Sequence, residues 1–117
     1  MTSLLPGVRE WAWVIEFFNE TDRDELEAMP DDIRARFERI VELIKSKGLA
    51  QVREPYVKHL EQKLWEMRMK GRDGIARSIY MAAAEQRMVI LHTFIKKTQR
   101  TPKAALEIAR TRAKEVK

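Results

Sequence analysis

The sequence contains no cysteine. That absence excludes disulfides, thiolate zinc sites and a cysteine nucleophile together. It accords with a reducing compartment, so a cytoplasmic location is expected. Glycine and proline contribute only four residues each to a chain of 117, too few for a collagen-like or low-complexity polymer. No apolar run approaches the ~18–20 residues that a membrane helix requires. The N-terminal stretch lacks a basic segment followed by an apolar one, so no secretory signal is expected. Histidine is scarce, with two residues, and no cluster has metal-ligand spacing. Neither a metal nor another cofactor is expected.

What the chain does have is charge and a moderate supply of apolar residues, 35% and 44% respectively. That is enough for one core, and the length suits a single domain over residues 1–117. The charge is unevenly placed. Residues 1–50 carry seven basic and eleven acidic side chains, whereas residues 51–117 carry sixteen basic and seven acidic ones. The C-terminal half therefore attracts polyanions or an acidic partner.

Residues 11–17 are rich in aromatic and β-branched types and read as a strand with Trp11, Trp13, Ile15 and Phe17 on one face. Thr21 or Asp22 is the expected N-cap of a short helix reaching Met29. From Asp31 to Lys47, Ile33, Phe37, Ile40, Val41 and Ile44 recur at spacings of three and four, which is the stripe of an amphipathic helix. Gly48 ends it. The two helices read as a helical hairpin. Residues 49–61 contain Pro55 and read as a loop. Strands are expected over 63–69, 75–82 and 88–95, the first two joined by a turn whose glycines at 71 and 74 supply positive φ. Pro102 opens a last helix behind Thr101 as N-cap. The expected fold is α+β: a small antiparallel sheet of about four strands, with the helices covering one face. Trp65 and Met67 are expected in the core.

The segments Lys63-Leu-Trp-Glu-Met-Arg68, Gly74-Ile-Ala-Arg-Ser-Ile-Tyr80 and Val89-Ile-Leu-His-Thr-Phe-Ile-Lys-Lys-Thr98, followed by Thr101-Pro102 and a helix holding Ala109 and Ala113, occur in a familiar order. Over Tyr56 to Lys114 the chain resembles the RelE/HigB superfamily of bacterial and phage toxins, in its phage-derived HigB-like branch. The resemblance implies a RelE-like fold and the toxin of a type II toxin–antitoxin system. It implies a metal-independent endoribonuclease that cuts mRNA on translating ribosomes, silenced by an antitoxin that is commonly a helix-turn-helix protein. Composition alone also accommodates a non-catalytic nucleic-acid- or ribosome-binding module, or a basic interaction protein.

Cleavage of that kind needs the 2′-hydroxyl deprotonated, the phosphorane charge stabilised and the 5′ oxygen protonated. Arg77, mid-strand, is either a phosphate clamp or an ion-pair partner of Glu66 or Asp73. Arg68 and Glu66 share a strand face, where they either meet RNA or pair with each other; Glu66 is one candidate base. Lys96, Lys97, Arg100 and Lys103 form the densest basic run. The first two are candidates for the reacting phosphate, and the latter two, with Lys63, for the RNA backbone. His92 is the best generic acid or base in the chain, though a hydrogen-bonded structural role competes. His59 is placed in a surface loop. Tyr80 either stacks on a base or fills the core. The superfamily's acid and base vary between branches, and this chain has no tyrosine after Tyr80.

Overall fold

The computed structural model describes residues 13–53, 56–96 and 101–117. Strand β1 (Val14–Phe17) leads into helices α1 (Glu20–Glu27) and α2 (Asp31–Lys47) and a 3-10 turn at Leu49–Gln51. Strands β2 (Val57–Glu61), β3 (Leu64–Gly71), β4 (Gly74–Ala83) and β5 (Arg87–Lys96) follow, and helix α3 (Lys103–Ala113) closes the fold. The architecture is α+β, but the sheet has five strands rather than about four, in the order β1-β5-β4-β3-β2. The additional strand, β2, lies in the segment read as a loop, and it pairs antiparallel with β3. The sheet is also not purely antiparallel, because β1 runs parallel to β5 with Val14 beside Arg87 and Phe17 beside Ile90.

Helix α2 forms where its stripe indicates. Asp31 and Asp32 occupy its first turn and Lys45 and Lys47 its last, each matched to the helix dipole. Gly48 ends it at φ +87°, a conformation glycine adopts without penalty. The N-cap of α1 is Asn19, whose Oδ1 accepts the Asp22 N–H at 2.8 Å, rather than Thr21 or Asp22. Asp22 turns inward and accepts the Phe18 N–H at 3.1 Å.

The β3–β4 turn uses glycine differently from expectation. Gly71 and Gly74 are not among the positive-φ residues, which are Gln62, Glu85, Gln86 and Gly48. Gly71 serves close approach instead: a Cβ there would lie 2.7 Å from Ile33 Cγ1 and 2.9 Å from Asp32 Oδ2. The first turn of α2 therefore packs directly on this hairpin, and Asp32 accepts the Arg72 N–H at 2.5 Å.

Both faces of the sheet carry helices, which corrects the one-sided arrangement. On one face Ile33, Phe37, Ile40, Val41 and Ile44 of α2 pack with Met67, Met69, Tyr80, Met88 and Ile90, joined by Trp13, Ile15 and Phe17. On the other, Ala105 and Ala109 of α3 rest on Leu64, Ile79, Met81, Val89 and Leu91. Small residues let α3 lie close to the strands. Helix α1 lies against β5 at the β1 side rather than pairing with α2 as an isolated hairpin. Among the described residues no helix is long and apolar enough to cross a membrane.

Candidate functional site

Strict alternation on β3 and β4 sends Glu66, Arg68 and Lys70, with Ile75 and Arg77, to the face that carries α3. Arg68 pairs directly across the ladder with Arg77, Glu66 with Ile79, and Lys70 with Ile75. The apolar contacts of α3 involve Leu64, Ile79 and Met81, toward the far end of these strands. The end near the β3–β4 turn carries the cations.

Of the two readings of Arg77, the structure shows the ion pair. Its Nη1 donates to Glu66 Oε1, and the side chains are only 3% and 1% exposed. The other Glu66 oxygen accepts the Thr101 hydroxyl at 2.8 Å. Glu66, the candidate base, thus has both oxygens engaged. Thr101 does not cap α3: the N-cap is Pro102, with no side-chain cap, and the hydroxyl ties the start of the helix to the sheet. Burial lowers the Arg77 pKa, the Glu66 charge raises it, and the Arg68 guanidinium opposite lowers it. Arg77 Nε has no hydrogen-bond partner among the described residues.

Arg68 is half-buried. With Arg36, Tyr56, Lys70 and Ile75 it lines a cleft of about 370 Å³. Three of these residues are basic, and among the described residues no carboxylate lines the cleft. Such a lining is suited to an anion, and Tyr56, 36% exposed, is its one aromatic residue among the described lining. Arg36, Tyr56 and Lys70 were not singled out from the sequence. Lys70 had a signal, since it follows Arg68 by two residues on the same strand. Arg36 had none, because it lies on the polar side of α2, where every charge looks alike.

The remaining candidates scatter. Lys96 is the last residue of β5, opposite Ile75, so its backbone is at the cleft end of the sheet. Lys97 and Arg100 lie outside the described residues. Lys103 begins α3 and is exposed, two residues from Thr101. Lys63 sits in the β2–β3 turn, at the opposite end of β3 from Lys70, and does not join the cleft. Tyr80 is 1% exposed, in the core on the α2 side. It faces away from Arg77, which removes it from the surface that would meet RNA. Burial pushes its phenol pKa up.

His92 occupies a separate cluster. Its Nδ1 lies 3.0 Å from Glu25 Oε1, and the same oxygen accepts the Thr93 N–H at 3.1 Å. Its ring stacks on Phe94 at 5.3 Å. Arg112 reaches in from α3, 3.6 Å from Glu25, and donates to the Leu91 carbonyl at 2.5 Å. The strand ladder shifts register between Ile79 and Tyr80, and beside that shift Glu25 and Arg112 bind backbone groups of β5. This is the hydrogen-bonded structural role. His59 is on β2, not in a loop; its Nε2 lies 2.8 Å from the Gln62 carbonyl. Trp65, expected in the core, is 36% exposed beside it, whereas Met67 is fully buried as expected. Among the described residues no group of three or more His, Asp or Glu side chains is arranged to hold a metal ion.

A search of curated proteins finds no match. The family model described as "Phage derived protein Gp49-like (DUF891)" matches residues 24–114, from α1 through the end of α3. The chain belongs to the Gp49-like family of phage-derived proteins.

Proposed function

We propose that this protein is the toxin of a type II toxin–antitoxin pair, an endoribonuclease that cuts mRNA on translating ribosomes. The observation that carries the reading is the cleft of Arg36, Arg68 and Lys70, cationic and without a carboxylate among its described lining residues. It lies on a domain whose C-terminal part is strongly basic. Membership of a phage-derived family is compatible with such a role. In the reaction, the 2′ oxygen of the RNA loses its proton and attacks the adjacent phosphorus. A 2′,3′-cyclic phosphate forms and the 5′ oxygen leaves with a proton. In this reading Arg68 holds the non-bridging oxygens, and preorganised cations act most strongly where charge develops. Arg77 holds Glu66 beneath that surface and supports the fold under the cleft. Tyr56 is the exposed proton-transfer group of the cleft.

A second reading, RNA or ribosome binding without cleavage, is favoured by one observation: Glu66 is spent on Arg77 and Thr101. Induction of the protein alone separates the two. The enzyme arrests growth and produces discrete new 5′ ends in primer extension of cellular transcripts, and a cognate antitoxin restores growth. Intact transcripts with normal growth would overturn the toxin reading, and ribosome association with intact transcripts would leave the binding module.

A further inference from the structure

Strand β2 forms one edge of the sheet, and among the described residues nothing pairs with its outer side. The Arg68 N–H donates to the Tyr56 carbonyl at 2.8 Å, and Lys58 lies opposite Glu66. In an antiparallel ladder the bonded pairs recur at every second residue. The N–H and C=O groups of Lys58 therefore face β3, and those of Val57 and His59 face outward, unpaired within the sheet.

A second feature adjoins that edge. On the α2 side a cavity of about 610 Å³ is walled by Trp13, Val52, Val57, Trp65 and the edge of Tyr80. His59 stands edge-on to Trp65 at 4.8 Å. Trp65 is more than one-third exposed, an unusual position for the largest apolar side chain. The charged groups lining the cavity are Arg53 and Lys58, with no carboxylate among the described lining residues. An apolar hole beside an unpaired strand edge is the arrangement by which sheets capture extended peptides: main-chain bonds hold the peptide, and alternate side chains enter the pocket. Lys58 on this edge, with Arg53 beside it in the lining, disfavours a second copy bringing the same cations and favours an acidic strand.

We infer that the outer edge of β2 is the docking site for an acidic, extended segment of a protein partner, which adds as a sixth strand and inserts an apolar side chain between Trp13 and Trp65. The site is separate from the cationic cleft, and its test does not depend on RNA cleavage.

The test uses the whole protein and a synthetic peptide of alternating glutamate and valine, ten residues long. Its lysine–valine counterpart and a ten-nucleotide oligouridylate serve as competing probes. Binding is followed by tryptophan fluorescence and by amide exchange. The glutamate–valine peptide is expected to shift the emission and to protect the Val57 and His59 amides. His59→Pro removes an outward N–H without breaking a β3 bond, a position proline tolerates on an edge strand. It is expected to weaken the peptide about tenfold, the worth of one hydrogen bond, whereas His59→Ala changes affinity by less than about threefold. Amide protection in the unaltered protein stands independently of whether the proline variant folds. The inference is overturned if no amide on β2 is protected, if the lysine peptide or the oligonucleotide binds there equally well, or if the proline and alanine variants behave alike.

Discussion

Arg68 and Arg77 face each other across two strands, yet their surroundings give them different work. Arg77 is locked under the surface with Glu66. Removing one member of a buried pair leaves an uncompensated charge, which costs roughly 3–5 kcal/mol. Arg77→Ala is therefore expected to lower the unfolding free energy by that much, read as a lower urea midpoint, and any lost cleavage should track lost folded protein. Arg68 is half-exposed and stands against a like charge. Arg68→Ala is expected to change stability by less than about 0.5 kcal/mol while cutting single-turnover cleavage by ~10²–10³-fold, the loss typical of a preorganised donor. Urea unfolding and cleavage on the same preparations check both. A stable, inactive Arg77→Ala protein would return that residue to direct phosphate contact.

Among the elements, α1 is held by an unusual contact. Asp22 is fully buried, and burial raises its pKa from 3.8 to about 7, with the Phe18 N–H opposing and Glu25 adding to the rise. The native state thus holds a proton that the unfolded chain has already lost between those two values. Stability is greatest below the unfolded pKa and declines as pH rises toward 7, then levels off. The full shift corresponds to at most about 4 kcal/mol, because each unit is worth about 1.4 kcal/mol. Asp22→Asn keeps an acceptor for the Phe18 N–H and removes the titration. Urea unfolding between pH 4 and 8 is expected to show a falling midpoint for the unaltered protein and a flatter profile for the variant. Loss of the α1 dock would also release Glu25 from the backbone of β5, so the pH response should appear at the amide of Thr93.

For the whole molecule, the separation of charge matters more than its total. The N-terminal half is acidic and the C-terminal half basic, and three basic residues line one cleft; under the proposed function these are the contacts to RNA. Three contacts to single-stranded RNA predict a slope of about −2 for log affinity against log salt, from ~0.7 counterions released per phosphate. Arg36→Ala combined with Lys70→Ala is expected to reduce that slope to about −0.7. Filter binding of a short RNA across a salt series measures it, and an unchanged slope would move the RNA path away from the cleft. The β2 edge lies outside this electrostatic account, and its variants should leave the salt dependence as it is.

What the sequence determined by itself is what local periodicity can carry. The stripe from Ile33 to Ile44 places α2 within its observed bounds, because helical spacing of apolar residues and a glycine stop are properties of neighbours along the chain. Alternation placed β3, β4 and β5 within one or two residues, and it put Glu66 and Arg68 on one face. The tertiary structure decided the rest. An edge strand such as β2 has no alternating apolar pattern, since one side meets solvent and its bonds come from β3 alone. Thr101 reads as a cap until Glu66, 35 residues away, is seen to take its hydroxyl. Arg36 enters the cleft because α2 packs on Gly71, a contact between segments far apart in the chain. Whether Arg77 meets substrate or a buried carboxylate also depends on which face α3 covers. Burial and charge pairing are properties of where distant segments meet, and a one-dimensional pattern records only what adjacent residues do.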